Sequence, residues 1–248
     1  MISPFPSCSF VSFGNHLYYQ KLCKLATEIQ YFQLFQRLFL YTDVILQQDS
    51  VFWERHRAFI ESSPRGYVYW IWKSYILLQV LSQSPDNELI LYVDAGCTLN
   101  LQGKSRMMEY IQLTMTDPIG ILSFQLPFPE KHFTKMDLFS HLNAFDLLDS
   151  LQFMATTFFI RKPPQTVAMV QQWYDTCCQY PLLSDIPSQL QNDTHYQEHR
   201  HDQSIWSLIR KQHHVTLVIP DETYFDHFET QGKEYPIWAT RTKDCHLM

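Results

Sequence analysis

The chain has 248 residues, 46% hydrophobic and 18% charged, with a net charge of −6. That length holds one sizeable core rather than two domains of about 150 residues each, and the composition excludes a disordered chain. No basic cluster accompanies the acidic balance, which argues against a nucleic-acid groove, where Lys and Arg must concentrate.

The predicted elements alternate along the chain. SFVSF (9–13) reads as a first strand, and 16–30 as a helix with Leu22, Leu25, Ala26 and Ile29 on one side. RLFLYTDVIL (37–46) reads as a second strand, 50–60 as a helix, 67–82 as a strongly apolar helix and ELILYV (88–93) as a buried strand. A helix near 104–115, the strand GILSFQL (120–126), short helices within 133–150 and the strand LQFMATTFFI (151–160) follow. Pro164 opens a helix to about Tyr180, with proline in the first turn as expected. A polar loop (184–200), a helix over 202–211 and a last strand VTLVIP (215–220) complete the pattern. Strands alternating with helices imply a mainly parallel sheet covered on both faces. The expectation is one domain over 1–248, with 221–248 a loosely attached tail.

Other classes are thinned by what is missing. The six glycines, at 14, 66, 96, 103, 120 and 232, assemble neither GxGxxG nor GxxxxGK[ST]. Six cysteines without a CxxC pair suggest neither a zinc knuckle nor a disulfide framework, and so a reducing compartment. The start, MISPFPSCSFVSFGNH, has no basic region of a signal peptide. The apolar YVYWIWKSYILLQVL carries Lys73 and is shorter than the ~20 apolar residues a bilayer span takes. A cytoplasmic protein without a transmembrane segment is the expectation, with peripheral membrane association still compatible.

Four stretches could carry chemistry. LYVDAGC delivers Asp94 to the carboxyl end of a buried strand, where ligands lie in open α/β sheets; it either faces a crevice or caps the next turn. YQEHRHDQS crowds His199, His201, Asp202 and Gln203 at a helix start. Asp202 is a natural N-cap there, yet a carboxylate beside a cleft can also take a proton or help hold a metal. PRGYVYWIWKSY places Lys73 inside an apolar helix, where an ammonium needs an anionic partner, either Asp94 or a ligand phosphate. Arg65 adds a second phosphate contact. HFTKMDLFSHL, with Lys135, is accounted for by an ordinary helix start with a solvated lysine.

In order, RGYVYWIWKSY, LYVDAGC, TKMDLF, QFMATTFFIRK with QQWYD, and HRHDQS resemble the GT-A superfamily of nucleotide-sugar-dependent glycosyltransferases. More narrowly they look like small enzymes of bacterial and large-virus surface-polysaccharide pathways, over roughly residues 9–225. The resemblance implies a GT-A-like, Rossmann-related α/β domain. It implies a nucleotide-sugar donor and a glycan or lipid-linked acceptor. Asp94 would stand first in the family's Asp-x-Asp motif, which holds a divalent ion, Mn²⁺ or Mg²⁺, against the donor diphosphate. Gly96 replaces the second aspartate, so metal dependence is expected to be weak, with His201 or Asp202 as substitute ligands beside Asp94. Donor contacts would come from Asp94, Gly96, Lys73, Arg65, Trp72, Thr156 and Thr157. Asp202 and Gln203 would act at the sugar, Asp202 as base in an inverting enzyme or as a positioning group in a retaining one. Two rivals use the same residues: a metal-dependent hydrolase built on His199, His201, Asp202 and Asp94, and an inactive nucleotide- or glycan-binding module.

Overall fold

The structure, a computed structural model, describes residues 6–63 and 65–242. In chain order the first half comprises β1 (Cys8–Gly14), α1 (Tyr19–Phe32), β2 (Arg37–Thr42), α2 (Asp43–Gln48), α3 (Ser50–Ser62), the single turn α4 (Gly66–Tyr69), α5 (Ile71–Gln83), β3 (Leu89–Val93) and β4 (Thr98–Leu99). The second half comprises α6 (Lys104–Thr116), β5 (Ile121–Pro129), α7 (Glu130–Phe133), α8 (Met136–Leu142), β6 (Leu151–Arg161), α9 (Pro164–Cys177), α10 (Tyr180–Leu183), α11 (His201–Gln212), β7 (Val218–Pro220) and β8 (Ile237–Trp238).

LILYV is an unbroken apolar run because β3 is buried on both faces of the sheet. The sheet order is β2-β1-β3-β6-β5-β7. β1 is parallel to β2 and β3, and β7 is parallel to β5. β6 opposes both its neighbours, β3 and β5, so the α/β sheet is mainly parallel with one reversed strand. On one face α5, α9 and α11 bury Ile76, Trp173 and Trp206, the two indoles stacked with centroids 4.6 Å apart. On the other, α1 and α6 bury Leu25, Ile29, Met107 and Tyr110.

Several boundaries depart from the sequence expectation. The second strand stops at Thr42, whose hydroxyl caps α2 by accepting from Ile45 N–H at 3.2 Å. The apolar helix begins at Ile71, not at 67. Before it, Tyr67, Val68, Tyr69 and Trp70 have φ of 46°, 68°, 51° and 61°, one turn of left-handed backbone. For L-residues that geometry costs roughly 1–2 kcal/mol each, so tertiary packing holds it, including fully buried Val68. The last strand shortens to Val218–Pro220.

The tail expectation is corrected. Arg106 reaches Glu222 with two bonds of 2.9 and 2.8 Å, and Tyr110 O–H adds a third at 2.5 Å. β8 pairs antiparallel with β4, and Ile237 and Ala239 are buried. Gly103 permits this docking, since a Cβ there would lie 2.3 Å from Pro236 N. Residues 221–242 are therefore fastened to the body; 243–248 lie outside the described residues. Lys135 is also corrected. Its ammonium is buried and donates to the carbonyls of Pro181 and Ile186, each at 2.7 Å. Among the described residues the cysteines are free, and no helix is long and apolar enough to cross a membrane.

Candidate functional site

β3 ends at Val93, and the next residue continues the ladder by donating its N–H to Thr156 O of β6 at 2.9 Å. The turn beyond closes backbone to backbone, Cys97 N–H to Asp94 O at 3.0 Å. That leaves the Asp94 carboxylate for the cleft, where it accepts from Tyr92 O–H at 2.5 Å. Lys73 enters from α5, so apolar that its ammonium has no escape to water. Its Nζ lies 3.2 Å from Asp94 Oδ1 and 3.0 Å from Asp202 Oδ2, and donates to Ala155 O at 3.1 Å. One hydrogen bond and two ion pairs hold the ammonium.

Asp202 does not cap α11. The cap residue is Arg200, with no side-chain bond to the helix amides, and the Asp202 carboxylate turns inward to Lys73. Burial pushes Asp202 up to about 6, against the pull of Lys73 and with the help of Asp94. For Lys73, burial disfavours the charged form, but the Asp202 and Asp94 charges outweigh it and hold the ammonium above its ordinary value. Gln203 is fixed on β6: its Oε1 accepts from Ala155 N–H at 3.1 Å and its Nε2 donates to Gln152 Oε1 at 2.8 Å.

These groups divide a cleft into two chambers. The larger, about 420 Å³, has aromatic walls from Phe13, Tyr18, Tyr67, Trp70 and Trp72. Trp72 stacks on Phe13 with centroids 3.8 Å apart. The smaller, about 230 Å³, is polar and contains Lys73, Asp202 and Gln203. Asp94, Thr156, Arg65, Trp70 and Arg241 line both and mark the junction. Gly96 belongs to the larger chamber.

Arg65 is exposed and held by Asp185 at 3.0 and 2.8 Å. Thr157 is excluded: side chains alternate across a strand, so where Thr156 faces the cleft, Thr157 is buried and donates to Tyr92 O at 2.8 Å. His199 is consumed by structure. Its Nε2–H donates to Leu182 O at 2.8 Å, and its Nδ1 accepts from Lys135 N–H at 3.3 Å. Burial, with His201 and Lys135 beside it, holds it well below its ordinary value. His201 donates through Nδ1 to Leu183 O at 2.7 Å. Its Nε2 faces Asp185 at 3.7 Å and its ring packs on Tyr69 and Trp70, not with Asp94 as a ligand pair.

A divalent ion needs oxygen or imidazole donors converging on one point. Asp94 Oδ1 is shared by Tyr92 and Lys73, Gly96 has no side-chain donor, and His201 Nε2, which makes no hydrogen bond, faces Asp185 rather than Asp94. Among the described residues no three His, Cys, Asp or Glu side chains come together to hold a metal. The residues present do not fit a resident divalent ion, and the hydrolase built on His199 and His201 loses its ligand set.

Sequence reasoning missed Arg241, in the segment read as a tail, and Phe13 and Tyr18. Phe13 was within reach: it lies one residue from the carboxyl end of β1, a strand parallel to β3, so the rule that singled out Asp94 applies to it as well.

No protein-family model and no curated protein sequence matches the chain. Among solved structures it is similar to a glycosyltransferase involved in the glycosylation of the major capsid of PBCV-1. The TM-score is 0.53 and the identity 14%, over 94% of this chain and 93% of that one. Mouse xyloside xylosyltransferase 1, apo form, gives a TM-score of 0.49 at 9% identity, over 94% and 97%. At 14% identity the first likeness is one of fold: this chain has a GT-A-like α/β fold.

Proposed function

We propose that the chain is a glycosyltransferase moving a sugar from a nucleotide-diphosphate sugar to a glycan or lipid-linked acceptor, as in surface-polysaccharide assembly. The observation that carries it is the clamp of Asp94 and Asp202 on one buried Lys73, at the junction of an aromatic chamber and a polar one. The aromatic chamber suits a nucleoside, whose base has two apolar faces. The polar chamber suits a sugar, with Asp202 and Gln203 held against it.

In an inverting reaction the acceptor oxygen bonds to the anomeric carbon as the bond from that carbon to the diphosphate oxygen breaks. The acceptor proton passes to Asp202. A carboxylate near 6 is ionised at neutral pH and is a stronger base than an ordinary one. Lys73 orients that carboxylate without covering both its oxygens. In a retaining reaction the same groups position the sugar and stabilise positive charge at its ring.

The test is a thermal-shift screen of nucleotide sugars, with and without manganese, followed by transfer assays with each donor that binds. Stabilisation by one nucleotide family, with sugar appearing on an added saccharide acceptor, supports the proposal. Binding without transfer or donor hydrolysis identifies a binding module, and no binding by any nucleotide sugar rejects the reading.

A further inference from the structure

Resting on the nucleotide-sugar reading, we infer that Arg241, with Arg65 as its partner across the cleft, neutralises the donor diphosphate in place of a divalent metal. Three observations lead there. First, the junction is hostile to a diphosphate as it stands. Asp94 and Asp202 set two carboxylates around one ammonium, which also donates to Ala155 O. Lys73 therefore orders the carboxylates, and its single positive charge is already set against theirs.

Second, Arg241 lines both chambers. Its side chain is exposed, and its guanidinium lies 5.8 Å from the Tyr224 ring. Arg65 also lines both chambers, from the left-handed turn side, tethered to Asp185. Two guanidinium groups flanking one junction provide forked donors that match phosphate oxygens.

Third, Arg241 and Gly96 are coupled in space. The residues on either side of Arg241 both bond to the Gly96 carbonyl, Thr240 Oγ1 at 2.9 Å and Thr242 N at 3.2 Å. Arg241 itself sits at φ 54°, an unfavourable backbone for a non-glycine residue that this pinning maintains. A Cβ on Gly96 would lie in ordinary contact with Thr242 O at 3.5 Å and Arg241 Cα at 3.6 Å. Position 96 therefore borders directly on the segment that brings the arginine. Where a metal-binding motif needs a ligand, this chain has a docking point for a cation.

The test is calorimetric titration of UDP, GDP and CDP, and of the matching nucleosides, in EDTA and again in manganese chloride. One diphosphate should bind wild-type protein in EDTA, with little gain from manganese. Arg241→Ala should weaken it roughly 10- to 100-fold, the range of one charge-assisted contact, and leave nucleoside binding and the melting temperature unchanged. Arg241→Lys should recover part of the affinity, and Arg65→Ala should cost less, because Arg65 already shares its charge and donors with Asp185. A diphosphate that binds only with manganese, or binds Arg241→Ala as tightly as wild type, overturns the inference while leaving the nucleotide-sugar reading intact. Failure of every diphosphate to bind wild type in either condition rejects that reading, and the inference with it.

Discussion

Replacing Lys73 with methionine keeps most of the side-chain volume and removes the charge between Asp94 and Asp202. Lys73 is 3% exposed and Asp202 4%, so water cannot replace the lost partner. Breaking a buried ion pair from one side costs about 3–5 kcal/mol. For a chain of this size each kcal/mol moves the melting temperature by about 2–4 °C, so the loss should be roughly 6–20 °C. The loss should also depend on pH. Asp202 already lies near 6 with Lys73 pulling it down; without the ammonium it rises further and stays protonated at higher pH. A group that binds more protons folded than unfolded makes stability fall as pH rises. The difference between Lys73→Met and wild type should therefore be small near pH 5.5, where Asp202 is largely protonated in both, and largest near pH 8. Urea unfolding followed by circular dichroism at the two pH values measures it. A loss under about 1 kcal/mol at pH 8, well short of a buried pair, or one independent of pH, would refute the clamp.

Asp202→Asn keeps the shape but cannot take a proton; donor affinity should stay near wild type while transfer slows by ~10²-fold or more, as read by single-turnover assays. In the wild type, kcat/KM should fall as pH drops through about 6, when Asp202 takes up its proton; a profile flat from pH 7 to pH 5 would remove Asp202 as the base. His56, lowered to about 4 by burial and then by Arg55, and His199, held well below its ordinary value by burial, are neutral in the fold and charge when unfolded. A depressed histidine binds fewer protons folded, so stability should fall as pH drops below about 6.5. His56→Phe should lessen that slope in acid unfolding curves.

Much of the candidate site was legible because it rests on local signals. An aspartate closing a buried strand, a lysine in an apolar helix and an acid at a helix start each break a pattern, and the structure brings those three together. What stayed hidden depends on distant partners. Lys135 looks solvated and His199 looks available as a ligand in sequence because the carbonyls that satisfy them, of Pro181, Ile186 and Leu182, belong to α10 and the loop after it. The segment 221–242 looked loose because a two-residue strand and one Glu222–Arg106 contact leave almost no periodic signal. Hydrophobic spacing does not encode handedness, so YVYW continued the helix of 71–83 on paper. Thr157 failed for a simpler reason: of two adjacent strand residues only one can face a given side.

The reversed direction of β6 has a consequence for how the site can change. Because β6 runs against β3, it continues past Val93, paired with Thr157, and presents residues 154–156 as open backbone. Asp94 N–H, Lys73 Nζ and Gln203 Oε1 bond to Thr156 O, Ala155 O and Ala155 N–H in turn. Side chains and one main-chain amide thus act as a surrogate neighbouring strand, and each of these groups is indexed to β6 rather than only to one another. Single substitutions perturb these groups one at a time. A one-residue insertion or deletion within β6 would shift the whole index at once, so sequence drift can rework the walls of the cleft but cannot lengthen or shorten this strand.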